Sequence, residues 1–215
     1  MEPVHAALLV IDMQNGFLNP RSAHCIPTAA ATVPACAKAI ASCRAQKIPV
    51  FFVIRKYRGN GSDVEFCRYE SWRKGGKALS PLCGEELSDA LPPEFGRREG
   101  DYTIVKPRFS AFFQTELDLI LRRLGINTVL LAGTTTPNCI RATCYDALSL
   151  DYNVAILEDC VSSATEEIQK SNLRDMENIG AVLLSAKALS GGLSALENEV
   201  SAVRAQVSAD SCPIQ

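Results

Sequence analysis

Six short apolar runs punctuate the chain: AALLVI (6–11), VFFVI (50–54), YTIV (102–105), TVLLA (128–132), NVAIL (153–157) and AVLLS (181–185). They are continuous rather than alternating, the pattern of parallel strands covered on both faces. Helical patterns lie between most of them. Thr32–Ala45 is alanine-rich, and Thr115–Leu124 sets Leu117, Ile120, Leu121 and Leu124 on one face. Asn138–Leu150 and Thr165–Ile179 follow the fourth and fifth runs. This alternation predicts an α/β fold: one three-layer α/β/α domain on a six-stranded, mainly parallel, doubly wound sheet with right-handed crossovers. One stretch breaks the rhythm. Residues 55–101 carry Gly59, Gly61, Gly75, Gly76, Pro81, Pro92, Pro93 and Gly96 among many charges. That is too long for a plain connection and predicts a functional excursion over the sheet. The tail from 190 to 215 is Ser/Ala-rich, with room for one short helix.

Composition narrows the class. The chain has 215 residues, 47% hydrophobic and 21% charged, the balance of a globular domain with a large core. Its formal charge of −2 offers no electrostatic handle on nucleic acid. No apolar run approaches a membrane span. The run at 6–11 lacks a basic flank and meets Asp12 at once, so it does not read as a signal peptide. Nine cysteines lie scattered at 25, 36, 43, 67, 83, 139, 144, 160 and 212, with no C-x-x-C pair. The expectation is a reducing, cytoplasmic setting and mostly buried thiols, Cys144 and Cys160 among them. With His5 and His24 the only histidines, a histidine-built zinc site is hard to assemble.

Three residues stand just past predicted strands, where doubly wound sheets bind ligands. Asp12 ends the first run; its bland reading is a strand-end cap. Lys106 follows the third run and precedes Pro107, which holds it extended; its bland reading is a solvated lysine. Cys139 lies in TVLLAGTTTPNCIRATC (128–144). There Thr136 fits an N-cap and Pro137 the first helical position, which places Cys139 in the first helical turn. Unpaired N–H groups, the helix dipole and a nearby ammonium would then lower the thiol pKa, and the same N–H groups would face an oxyanion. Its bland reading is a small core residue. In a 3-2-1-4-5-6 strand order Asp12 and Cys139 face each other across the switch point, with Lys106 arriving from strand three.

Taken together, VIDMQNGF (10–17), KPRFSAFFQTELDLILRRLGINTVLLAG (106–133) and GTTTPNCIRATCYDA (133–147) make the chain resemble the isochorismatase-like cysteine hydrolase superfamily, over about residues 6–186. The resemblance implies one such domain over 1–215, with 55–101 lying over the active site. It implies a catalytic triad of Asp12, Lys106 and Cys139. It also implies a non-proline cis peptide at Thr134–Thr135 that aims the N–H groups of Thr135 and Cys139 at an oxyanion. The chemistry implied is hydrolysis of a C–N bond in a small amide, carbamoyl or ureido substrate through a thioester.

Within the superfamily, nicotinamidases carry an Asp-x-His plus His metal site after the second strand. Here that region reads IRKYRGNGSDVEFCRYESW (54–72), without histidine. No metal and no cofactor are therefore expected. Isochorismatase-type vinyl ether cleavage and a catalytically silent binding member are the alternatives. A thiol redox sensor would need a resolving partner, and Cys144 lies on another helical face. Nucleotide-binding glycine motifs are absent. Arg55, Tyr57, Arg58, Arg68 and Trp72 of the excursion, with Phe17, Phe109, Thr136 and Asn138, are candidate substrate-binding residues. The arginines suit a substrate carboxylate, unless Asp63 and Glu65 neutralise them in a solvated flap. The resemblance further implies a homo-oligomer, dimer or tetramer, with no nucleic-acid or membrane partner.

Overall fold

A computed structural model describes residues 4–193 together with Leu196 and Gln206. Six strands form one sheet: β1 (Ala6–Ile11), β2 (Val50–Ile54), β3 (Tyr102–Val105), β4 (Thr128–Thr134), β5 (Asn153–Ser162) and β6 (Val182–Leu184). Their order is β3-β2-β1-β4-β5-β6, and every neighbouring pair is parallel. Among the described residues, seven α-helices accompany them: α1 (Asn15–Leu18), α2 (Ala29–Ala45), α3 (Phe66–Lys74), α4 (Leu117–Arg123), α5 (Arg141–Ser149), α6 (Glu166–Asn178) and α7 (Ala186–Leu189).

The pleat of β1 shows why its apolar run is unbroken. Ala7, Leu9 and Ile11 enter a core beneath α4, α5 and α6, with Leu117, Leu121, Cys144 and Met176. Ala6, Leu8 and Val10 enter the opposite core beneath α2 and α7, with Cys36, Ala39, Ile40 and Leu189. Both faces are buried, so alternation would leave polar groups in one core. Among the described residues, Cys36, Cys43, Cys139, Cys144 and Cys160 are buried and Cys67 is exposed, all as free thiols. Cys212 and the expected tail helix lie outside the described residues, apart from Leu196 and Gln206. Among those described, no helix is long and apolar enough to cross a membrane.

The excursion after β2 builds a third small core of its own, from Phe17, Tyr57, Val64, Trp72, Ala78 and Leu79. Trp72 donates its indole N–H to the Ala78 carbonyl at 2.9 Å. The stretch is thus a packed cap, anchored on the turn that follows β1.

Where β4 runs parallel beside β1, Gly133 stands opposite Ile11. Its φ is +116°, and a Cβ there would lie 2.0 Å from the Ile11 carbonyl oxygen. Backbone and sterics both require glycine. Gly133→Ala is expected to destabilise the chain by about 3 kcal/mol or more, seen as a fall in the urea midpoint.

Candidate active site

The site is assembled by the carboxyl ends of β1, β2, β3 and β4. The end of β2 acts as the ruler. Asp12 N–H donates to the Val53 carbonyl at 2.9 Å, and Lys106 N–H to that of Ile54 at 2.9 Å. The Gln14 side chain locks the next residue: its amide donates to the Arg55 carbonyl at 2.9 Å and its oxygen accepts the Arg55 N–H at 2.8 Å. Asp12 holds a left-handed φ of +54°, a conformation that aspartate tolerates better than most residues. The turn starts directly beyond the strand.

Asp12, Lys106 and Cys139 come together, each almost fully buried. Lys106 Nζ is 2.8 Å from Asp12 Oδ2 and 3.4 Å from Cys139 Sγ. It also donates to the Arg108 carbonyl at 3.1 Å. The Lys106–Asp12 contact is close but poorly angled for a hydrogen bond, leaving lone pairs of the carboxylate free to take a proton. The Thr134–Thr135 peptide bond is cis.

The turn carrying Cys139 departs from the sequence reading. Thr136–Ile140 is a π-type turn, closed by Ile140 N–H to the Thr135 carbonyl at 3.3 Å, and α5 begins only at Arg141. Thr136 caps nothing. Its hydroxyl and that of Thr135 both donate to the Ser162 carbonyl, each at 3.1 Å. These bonds tie the turn to the end of β5. Single π turns recur at functional sites.

The thiol also differs from expectation. Burial is the largest influence on Cys139 and raises its pKa. The Asp12 charge raises it further, and Lys106 and then Arg55 pull it down. Desolvation outweighs the cations, so the site holds a thiol, with a carboxylate beside it, rather than a ready thiolate.

A cavity of about 210 Å³ opens onto these groups, lined by Asp12, Phe17, Thr134, Thr135, Asn138 and Cys139 together with His24 and Arg68. Arg68 is half-buried, stacks over Phe109 at 5.1 Å and makes no ion pair among the described residues. Phe109 lies under Arg68 and lines an adjoining outer depression with Asn138, Arg141 and Tyr145.

Other candidate binding residues lie elsewhere. Arg55 is fully buried. Its guanidinium bonds to Glu65, to the Tyr57 hydroxyl at 3.3 Å and to the Arg108 carbonyl at 2.8 Å, and Tyr57 donates to Glu65 at 2.7 Å. Arg55 and Tyr57 therefore support the site from behind, off the cavity wall. Thr136 and Trp72 are held in the interior by the bonds already described. Arg58 is exposed, with its backbone N–H on the Asp63 carboxylate. Arg73 and Lys74 pair with Glu70 on the surface, as a solvated flap would have it. The residues after β2 do not suit a metal ion, because a guanidinium already occupies the anionic position at Glu65.

His24 was not legible as a site residue. It sits in the β1–α2 connection with Nε2 buried and without a hydrogen-bond partner. Burial foremost, and then Arg68, lowers its pKa from the ordinary 6.5 to about 4. The folded chain therefore refuses a proton that the unfolded chain accepts below 6.5. This contribution to stability is complete above pH 6.5 and is lost as pH falls towards 4. The melting temperature should fall across that window, and His24→Asn should flatten the fall; equal slopes in both proteins would contradict the assignment.

The isochorismatase domain model matches residues 6–188. The chain belongs to the isochorismatase family. It is 40% identical over 179 residues to a probable inactive nicotinamidase of Arabidopsis thaliana, covering 82% of this chain and 90% of the relative. It is 30% identical over 195 residues to the ureidoacrylate amidohydrolase RutB of Pantoea ananatis, covering 81% and 76%. Among solved structures, an isochorismatase family protein from Desulfovibrio vulgaris superposes with a TM-score of 0.81 at 37% identity, covering 89% of this chain and all of that one.

Proposed function

We propose that this family member is a cysteine-dependent hydrolase cleaving the C–N bond of a small amide, carbamoyl or ureido substrate that carries a carboxylate. The observation behind this reading is the buried contact of Cys139 Sγ with the Lys106 ammonium, itself paired with Asp12, at the floor of a small cavity.

Asp12 takes the thiol proton as Sγ attacks the carbonyl carbon, and the carbonyl electron pair moves to oxygen. The N–H groups of Thr135 and Cys139, both at the cavity wall, are the candidate oxyanion donors. Collapse re-forms the carbonyl and breaks the C–N bond, and Asp12 returns its proton to the leaving nitrogen. Asp12 then takes a proton from water as its oxygen attacks the thioester. Collapse breaks the C–S bond and frees the acid, and Asp12 returns its proton to sulfur, restoring the thiol and the carboxylate. Lys106 stays protonated and steadies the anion, first on Asp12 and then on sulfur. Arg68, half-buried and without an ion pair, suits the carboxylate. The amidohydrolase among the relatives supports the C–N reading. The Arabidopsis relative is named a probable inactive nicotinamidase, and this chain's Arg55–Glu65 pair lies in the stretch after β2 where the resemblance puts the metal ligands of nicotinamidases.

The test is ammonia release from primary amides, carbamoyl amino acids, ureido acids and biuret without added metal. Cys139→Ala should abolish release from the best substrate. Arg68→Met should raise KM about tenfold or more for carboxylated substrates, the cost of one charge-assisted contact, and leave uncharged amides nearly unchanged. Release that persists in Cys139→Ala refutes the reading.

A further inference from the structure

The guanidinium of Arg55 lies where no substrate reaches it, yet its Nη2 is 3.8 Å from Cys139 Sγ. It is one of the largest fully buried side chains of the protein. Its backbone is fixed by Gln14, and Nη1 is held by Glu65. The Arg108 carbonyl accepts from both Arg55 and Lys106, so one oxygen sets the two cations side by side against the sulfur. We propose that Arg55 is a second cation on the nucleophile, and that Glu65 is a positioning residue which sets how much of that charge the sulfur feels. The proposal rests on Cys139 as nucleophile, and it changes the site from a triad to a sulfur with two cations beside it.

Charge arithmetic supports the division of labour. Asp12 from β1 and Lys106 from beyond β3 cancel each other. Arg55 from beyond β2 and Glu65 from the start of α3 do the same. His24 and the cationic Arg68 line the same cavity, and the neutral Tyr57 hydroxyl donates to Glu65. Passing the thiol proton to Asp12 moves the negative charge onto sulfur and leaves the total unchanged. Without Arg55 that charge would face a single ammonium. Unlike Lys106, Arg55 has no hydrogen bond or ion pair with Asp12 among the described residues, although the Asp12 charge acts on it through space ahead of Cys139; its one direct contact within the triad is with the sulfur.

The test reads Cys139 alone and needs no substrate, so its failure is separate from failure of the hydrolase reading. Iodoacetamide labelling of the Cys139 peptide is followed by mass spectrometry across a pH series, on protein whose folding is checked by melting. Glu65→Gln keeps the shape and frees Arg55's charge, so labelling at neutral pH should rise about threefold or more. The double variant Arg55→Met with Glu65→Gln removes equal and opposite charges, so a diffuse field would move nothing. The contact predicts instead about a tenfold slower labelling, one pH unit in the profile. Opposite movements support the proposal. Profiles that coincide with the wild type, or that move in the same direction, overturn it. If the double variant does not fold, Glu65→Gln decides, and labelling no faster than wild type rejects the proposal.

Discussion

At the carboxyl end of the sheet, four charged side chains and one thiol are taken out of water together. Asp12, Lys106 and Arg55 are fully buried, and Glu65 nearly so. Burying an isolated ion costs several kcal/mol after relaxation, and removing one member of a buried pair typically costs about 3–5 kcal/mol. The pairs Asp12–Lys106 and Arg55–Glu65 meet this constraint, and much nearby structure serves them. Gln14 pins the Arg55 backbone, the Arg108 carbonyl receives both cations, and Tyr57 completes Glu65. The cap after β2 has its own apolar core and shuts the second pair away from solvent.

That balance shapes the chemistry. A permanently ionised thiolate in this pocket would add an uncompensated anion, and burial with Asp12 beside it keeps sulfur protonated at rest. Transfer of the proton to Asp12 redistributes charge at constant total. The site therefore suits a reaction in which base and nucleophile exchange a proton only as substrate arrives. Arg68 and neutral His24 line the same cavity as Cys139.

The sheet was legible because its strands are buried on both faces, which writes unbroken apolar runs into the sequence. The residues ending those runs, Asp12, Lys106 and Cys139, were legible because the strand order places such ends together. What escaped depends on tertiary neighbours. Nothing local in IRKYRGNGSDVEF says that Arg55 turns inward to meet Glu65, ten residues on, while Arg58 stays outside. The first helical turn reads as an ordinary capped helix, yet the Ser162 carbonyl on β5 draws in the Thr135 and Thr136 hydroxyls and the turn becomes π-type. The acidity of Cys139 departs from the sequence expectation for the same reason. Helix position and a nearby lysine can be read from sequence, whereas full burial and a carboxylate in contact cannot.

The central claim is that Asp12 is the base for a protonated Cys139, opposing the thiolate at rest and accepting its proton in turnover. The most direct measurement is the pH profile of Cys139 labelling in Asp12→Asn beside the wild type. Removal of the opposing charge should shift the profile to lower pH, so that the variant has a more acidic thiol than the wild type while the proposed hydrolysis is lost. A profile that stays in place or moves to higher pH would contradict the account, because Asp12 would then not be the charge that keeps the sulfur protonated.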